Sequence, residues 1–256
     1  MWEARILLKQ PGTVAGLPIA AAVWQQVAEL YSVADWQWQA HVKEGTACES
    51  GTEIATIRAP AAMLLMGERV ALNQLAHLSG IATLTRTYTA AIADLPAQLV
   101  DTRKTRPGWR LLEKYAVAVG GGVNHRCGLD DAAMVKDNHI LAAGSITAAV
   151  EAIRAQAPFT TAVEVEAETL AQVQEAIACG ADIVMLDNMG LEEMSQALSL
   201  IGGQAKTEAS GNITLERLRA IAELGVDYIS TSATITQATW LDLSLDFQAR
   251  TNPVAG

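Results

Sequence analysis

The sequence predicts an α/β protein in two parts, a strand-rich N-terminal region and a longer region of alternating strands and helices. Three observations predict it. Up to about residue 60, short β-branched and apolar runs such as "TVAGLPIA" and "IATIRAP" are separated by glycines. From Ala61 to about Ala93, Leu64, Leu65, Leu72, Leu75 and Leu78 recur near a helical period. Beyond Leu95, short apolar runs ending in polar residues alternate with amphipathic segments, the pattern of parallel strands joined by right-handed crossovers. The division falls at residues 1–95 and 96–256.

In the first part, "VKEGTACESGTEIATI" sets Gly45 and Gly51 between alternating runs, a hairpin or bulge signal. Trp24, Trp36 and Trp38 supply bulk for a small sheet core. Pro60 suits the first turn of the long helix, and Gly67 and Gly80 are expected to weaken or bend it. In the second part, "AQLVDT" precedes a helix at about 109–119, and "AAMVKDN" one at about 146–155. "TAVEVEA" precedes 168–178, "DIVMLDN" precedes 191–200, and "AKTEASG" precedes 214–223. "DYISTS" comes last. Glu166, Asp187 and Glu208 are spaced by one strand-helix unit each, as in a β/α barrel.

No apolar run reaches the length of a membrane span, and "MWEARILLKQ" lacks the apolar stretch of a signal peptide. The expectation is a cytoplasmic protein that does not engage a membrane. A net charge of −10 argues against nucleic-acid binding, which needs a broad basic face. Against that charge, Arg103, Lys104, Arg106 and Arg110 crowd into "DTRKTRPGWR", and Lys114, His125, Arg126, Lys136 and His139 follow. The cluster points to a small anionic ligand. Cys48, Cys127 and Cys179 are too dispersed for a metal finger and read as reduced thiols. Cys127, next to His125-Arg126, reads as an apolar filler rather than an activated thiolate.

The polar strand ends carry the chemistry: Asp101, Lys136, Glu164 with Glu166, Asp187, Glu208 and Ser232. In a barrel these converge on one mouth. Arginine offers a planar fork for carboxylate or phosphate and lysine a point charge, so Arg103, Lys104, Arg126 and Lys136 suit a ligand with several negative groups. Glu164 and Glu166 share one face of a strand, and Glu166 and Asp187 lie near adjacent strand ends. Two carboxylates beside a phosphate-rich ligand call for a bridging Mg²⁺. Ser210-Gly211-Asn212 and the small residues of "STSAT" suit a phosphate. The glycines of "GGGVNHR" form no dinucleotide or P-loop fingerprint.

The segments "MGERVALNQLAHLSGIAT", "DTRKTRPG", "LLEKYAV", "GGGVNHR", "KDNHI", "EVEA", "VMLDNM", "EASGNI" and "GVDYIS" together resemble the quinolinate phosphoribosyltransferases. The resemblance implies an N-terminal α/β sandwich with a long helical segment over 1–95, the C-terminal end of the chain packing back on it. An incomplete α/β barrel of the type II phosphoribosyltransferase kind over 96–256 then carries the active site. It implies transfer of phosphoribose from 5-phosphoribosyl-1-pyrophosphate to quinolinate with decarboxylation. The products are nicotinate mononucleotide, pyrophosphate and CO₂, for NAD biosynthesis. By the same resemblance Arg103, His125, Arg126 and Lys136 contact the quinolinate carboxylates and nearby phosphates, with Thr102 and Lys104 completing the loop. Lys136, Glu166 and Asp187 are catalytic, the two acids holding ribose hydroxyls and Mg²⁺-pyrophosphate. Ser210, Gly211, Asn212, Thr231, Ser232 and Ala233 bind the 5-phosphate. Arg69 reaches a neighbouring subunit's site in a homodimer or hexamer. Arg106 and Ser232 depart from the family pattern, and the family carries a further segment ahead of "EARIL". Arg110 is expected on the surface of the helix that follows the cation cluster. Three other readings are a molybdenum-operon relative, an aldolase using Lys136, and a non-catalytic ligand-binding protein.

Overall fold

The computed structural model describes residues 1–248, so positions 249–256 of the range assigned to the barrel lie outside it. In chain order the elements begin with β1 (Trp2–Leu8), β2 (Gly12–Thr13), α1 (Leu17–Leu30), β3 (Gln37–Ala40), β4 (Ala47–Cys48), β5 (Glu53–Ala59) and α2 (Ala61–Ala91). There follow β6 (Gln98–Val100), α3 (Arg110–Val119), β7 (Ala133–Val135), α4 (Asp137–Ala143), α5 (Ile146–Arg154), β8 (Val163–Ala167) and α6 (Leu170–Ala178). The rest are β9 (Ile183–Asp187), α7 (Leu191–Ile201), β10 (Lys206–Ser210), α8 (Leu215–Ala222), β11 (Tyr228–Ser230), α9 (Ala233–Thr236) and β12 (Leu243–Phe247). They form two compact units, each assembled from separate stretches of chain. Among the described residues one comprises 1–86, 112–121 and 237–248; the other comprises 87–111 and 122–236.

The first unit is built on an antiparallel sheet in the order β12-β1-β5-β3. Strand β1 alternates, turning Ala4, Ile6 and Leu8 into the core. Strand β12 returns from the far end of the chain to pair with β1, Ala4 opposite Phe247. Helix α1 corrects the strand-rich reading of this region. Leu17, Ala20, Trp24 and Ala28 recur at helical spacing and are buried, and Pro18 sits in the first turn, where its missing N–H costs nothing. The Glu44 carboxylate accepts hydrogen bonds from the backbone N–H groups of Gly16 (2.9 Å) and Leu17 (2.7 Å), placing an anion at the helix start. Trp24 therefore enters the core from a helix, stacking on Trp38 of β3 with centroids 5.7 Å apart. Gly67 lies within the unbroken α2; a Cβ there would lie 2.4 Å from the Trp24 indole nitrogen. Its role is to let the indole approach the helix.

The second unit is a parallel sheet in the order β6-β11-β10-β9-β8-β7, left unclosed with β6 and β7 at its edges. All six strands lie where the alternating pattern put them. Helix α4 was not foreseen: its seven residues hold "DNHI", between the two elements expected there. Within β8, β9 and β10 the pleat divides the residues. Val163, Val165, Val184, Leu186 and Ala209 pack on the helix side, while Glu164, Glu166, Met185, Asp187, Glu208 and Ser210 share the opposite face. The register sets Glu166, Met185 and Glu208 in one row, with Asp187 beside Ser210 in the next row toward the strand ends. Among the described residues no helix is long and apolar enough to cross a membrane.

Candidate active site

The polar faces of these strands line a cavity of about 560 Å³. Of the residues singled out in the sequence, Thr102, Arg103, Lys104, His125, Arg126, Lys136, Glu166, Asp187 and Ser210 line it together. Gly211, Asn212, Thr231, Ser232 and Ala233 do not, although they follow β10 and β11 directly. Arg69 belongs to the other unit, exposed on α2. Arg110, Met134, Met185, Glu208 and Ser230 complete the lining. Arg106 is exposed and outside it. The three cysteines are free thiols, with Cys127 half-buried.

Two loops present the cations. The loop after β6 carries Arg103 and Lys104, and Asp101 at its root is fully buried. Asp101 accepts hydrogen bonds from the His125 backbone N–H (2.8 Å) and the Asn124 side chain (2.7 Å), tying the second loop to the first. Arg110 corrects the expectation of a surface residue. As the first residue of α3 it reaches back rather than outward. Its guanidinium donates to Thr105 Oγ1 (3.1 Å), to the Cys127 carbonyl (2.9 Å) and, more weakly, to the Arg103 carbonyl (3.4 Å). One planar fork thus holds both cation loops. Arg126 donates to the Ala132 carbonyl (3.0 Å). Burial pushes its ionisation below the usual arginine range, and the facing Arg103 guanidinium pushes it further; Glu164 and Asp131 oppose the shift. Two like charges held this close are relieved by an anion between them.

On the strands, Lys136 Nζ lies 2.5 Å from Glu166 Oε2, and the Asn188 amide donates to Asp187 Oδ2 (2.6 Å). Each acid keeps an oxygen available to the cavity. These are hard oxygen donors on adjacent strands. They fit Mg²⁺ of the kind held by one or two carboxylates, with substrate and water oxygens filling the remaining positions. In the turn after β10, Gly211 is at φ +86° and a Cβ there would fall 2.2 Å from Asn188 Oδ1. Asn212 donates to that same oxygen (3.1 Å), so the turns after β9 and β10 interlock.

Beneath the cations lies a cluster that was not assembled from sequence. His125 Nε2 is 3.2 Å from Glu164 Oε2 and 3.5 Å from Glu208 Oε2. Both carboxyls are buried, and the second oxygen of each has no hydrogen-bond partner. His125 Nδ1 accepts the Arg126 backbone N–H (2.7 Å), so the ring proton sits on Nε2, the nitrogen nearer the carboxyls. That tautomer keeps Nε2 from ligating a metal, although the atoms of the trio lie within 4.8 Å of one another. Burial, then the Glu164 charge, push the Glu208 carboxyl up to about 7; His125, Ser230 and Lys136 pull the other way.

Comparison with known proteins agrees with this geometry. Residues 1–79 match the model of the quinolinate phosphoribosyl transferase N-terminal domain, and residues 81–246 match that of its C-terminal domain. A probable nicotinate-nucleotide pyrophosphorylase (carboxylating) of Synechocystis sp. is 52% identical over 246 residues, 95% of this chain and 82% of that protein. The corresponding Bacillus subtilis protein is 46% identical over 95% of this chain and 83% of its own length. The crystal structure of NadC from Streptococcus pyogenes superposes with a TM-score of 0.90 at 44% identity, covering 96% of this chain and 85% of that one. The nicotinate-nucleotide pyrophosphorylase from Francisella tularensis gives 0.91 at 37% identity, covering 96% and 86%. With both domain models matched in order along nearly its whole length, this chain belongs to the quinolinate phosphoribosyltransferase family.

Proposed function

We propose that this chain joins quinolinate to 5-phosphoribosyl-1-pyrophosphate and decarboxylates the product, giving nicotinate mononucleotide, pyrophosphate and CO₂ for NAD biosynthesis. The observation that carries it is the pair of facing cation loops above half-buried carboxylates in a single cavity. A dicarboxylate is the anion that Arg103, Arg126 and Lys104 call for. Held there, its pyridine nitrogen is oriented for attack on the ribose carbon. Departure of pyrophosphate leaves that carbon cationic, and Glu166 and Asp187 face the developing charge and the ribose hydroxyls. Lys136, 2.5 Å from Glu166, neutralises that acid until the leaving pyrophosphate needs a cation. Glu166 and Asp187 would hold Mg²⁺, which would supply charge neutralisation for the leaving pyrophosphate. Ser210, Gly211 and Asn212, with Thr231, Ser232 and Ala233, hold the 5-phosphate. The Gly211 turn, which leaves no space for a side chain, supports this.

The catalytic unit is a homodimer or hexamer in which Arg69 completes a neighbouring site. Its support is the exposed apolar surface around Arg69 on α2, where Leu65, Met66 and Val70 are each about half exposed or more. The setting is the cytoplasm. The test is incubation with quinolinate, phosphoribosyl pyrophosphate and Mg²⁺. Nicotinate mononucleotide and CO₂ are expected, and their loss on chelation is expected to be reversed by added Mg²⁺. Folded protein that yields neither product refutes the reading.

A further inference from the structure

Decarboxylation leaves a chemical requirement that the arginines lining the cavity cannot meet. The bond between pyridine C2 and its carboxylate breaks, CO₂ leaves, and the electron pair stays on C2 beside the positively charged ring nitrogen. A proton must then form the C2–H bond. Arg103, Arg110 and Arg126 do not release protons in proteins. Lys136 is engaged by Glu166 at 2.5 Å. His125 Nε2, which carries the ring proton, lies 3.2 Å from Glu164 Oε2 and 3.5 Å from Glu208 Oε2.

We propose that Glu208 is the acid that delivers this proton, resting on the reaction proposed above. Glu208 lines the cavity yet is 3% exposed, and its Oε1 is buried without a hydrogen-bond partner. A buried carboxylate with an unmatched oxygen, close to a second buried carboxylate, is costly; the neutral acid is not. The unmatched oxygen receives no hydrogen bond, and a proton on it is shared with no second acceptor. In the step, the O–H bond of Glu208 breaks as C2–H forms, leaving the carboxylate, which solvent reprotonates after product release. The groups facing Glu208 are Glu164 from β8, His125 from the loop after α3, Lys136 at the end of β7 and Ser230 from β11. From β9 its row neighbour is the uncharged Met185. Glu164 favours the protonated state, and its repulsion is what makes Glu208 a proton store rather than a fixed charge. Its carboxyl is held near 7 by burial and by that neighbour, so it is neutral in a useful fraction of molecules and can be refilled.

Glu208→Gln keeps the size and neutrality of the acid and removes the transferable proton. The assay is a single turnover with quinolinate, phosphoribosyl pyrophosphate and Mg²⁺, following pyrophosphate and nicotinate mononucleotide in the same samples. The ratio of the rate of nicotinate mononucleotide formation to that of pyrophosphate formation is expected to fall on the order of 100-fold. Glu208→Asp, still an acid, is expected to recover part of the ratio. In the native protein the same ratio is expected to fall as pH rises from about 6 to 9. Equal losses in both products, or an unchanged ratio, overturn the assignment, as does a pH-independent ratio in the native protein. Native protein that releases no pyrophosphate from these substrates refutes instead the reaction on which the proposal rests.

Discussion

Replacing Arg110 by alanine tests whether the cation pocket is preformed. The substitution removes the donor that joins Thr105, the Cys127 carbonyl and the Arg103 carbonyl, and so separates the two loops. The contacts at 2.9 and 3.1 Å are charge-assisted and together contribute about 2–3 kcal/mol, with little added by the one at 3.4 Å. The loops then have to be ordered by the ligand itself. The loss reappears as a fall of roughly 30- to 150-fold in kcat/KM for quinolinate. Steady-state kinetics with each substrate varied in turn is the assay, beside thermal unfolding to confirm a folded chain. The fall should be larger for quinolinate than for phosphoribosyl pyrophosphate. Arg110→Lys should recover little, because a point charge cannot span three acceptors. An unchanged quinolinate KM, or equal losses for both substrates, refutes the positioning role.

Other substitutions probe neighbouring parts of the site. Glu208 has a folded-state value near 7 against an ordinary 4.5, so its contribution to stability is complete below about 4.5 and is lost as pH rises through about 7. Glu208→Gln, free of that loss, should be more stable than the native protein at about pH 8, on the order of 3 kcal/mol, measured by denaturant titration without substrates. Gly211→Ala forces a Cβ against Asn188 at φ +86°; a loss of about 1–3 kcal/mol in stability and a raised KM for phosphoribosyl pyrophosphate are expected. Arg126→Ala should abolish turnover, by on the order of 1000-fold, while circular dichroism stays native. Retention of the native rate would remove Arg126 from the site.

The second unit was legible because its strands obey period two and end in charge. Val163 and Val165 against Glu164 and Glu166 announce both a strand and its faces, and the equal spacing to Asp187 and Glu208 announces the repeat. Helix α1 was not, because "TVAGLPIA" reads as a β-branched and apolar run, whereas its Gly16 and Pro18 mark the turn before a helix and its first turn. Arg110 was misplaced for a similar reason. Helical spacing describes the middle of α3, but a first residue has no preceding turn and its side chain is free to reach back. Glu208 was visible as a strand-end acid, and its spacing was the signal. Its chemistry was not visible, since the partners Glu164 and His125 come from other segments and only the fold brings both carboxyls within 3.5 Å of His125 Nε2. Arg69 remains legible only through the family resemblance.

The division of β8, β9 and β10 into helix-side and cavity-side residues has a genetic consequence. Stability and chemistry are written on alternate codons of the same short strands. Substitutions can therefore tune one without touching the other. Loss or gain of a single residue within any of these strands cannot, because it exchanges the faces, driving Glu164 and Glu166 toward the helices and presenting valines to the ligand. In this unit, length changes belong in the loops, and the strands are expected to vary by replacement alone.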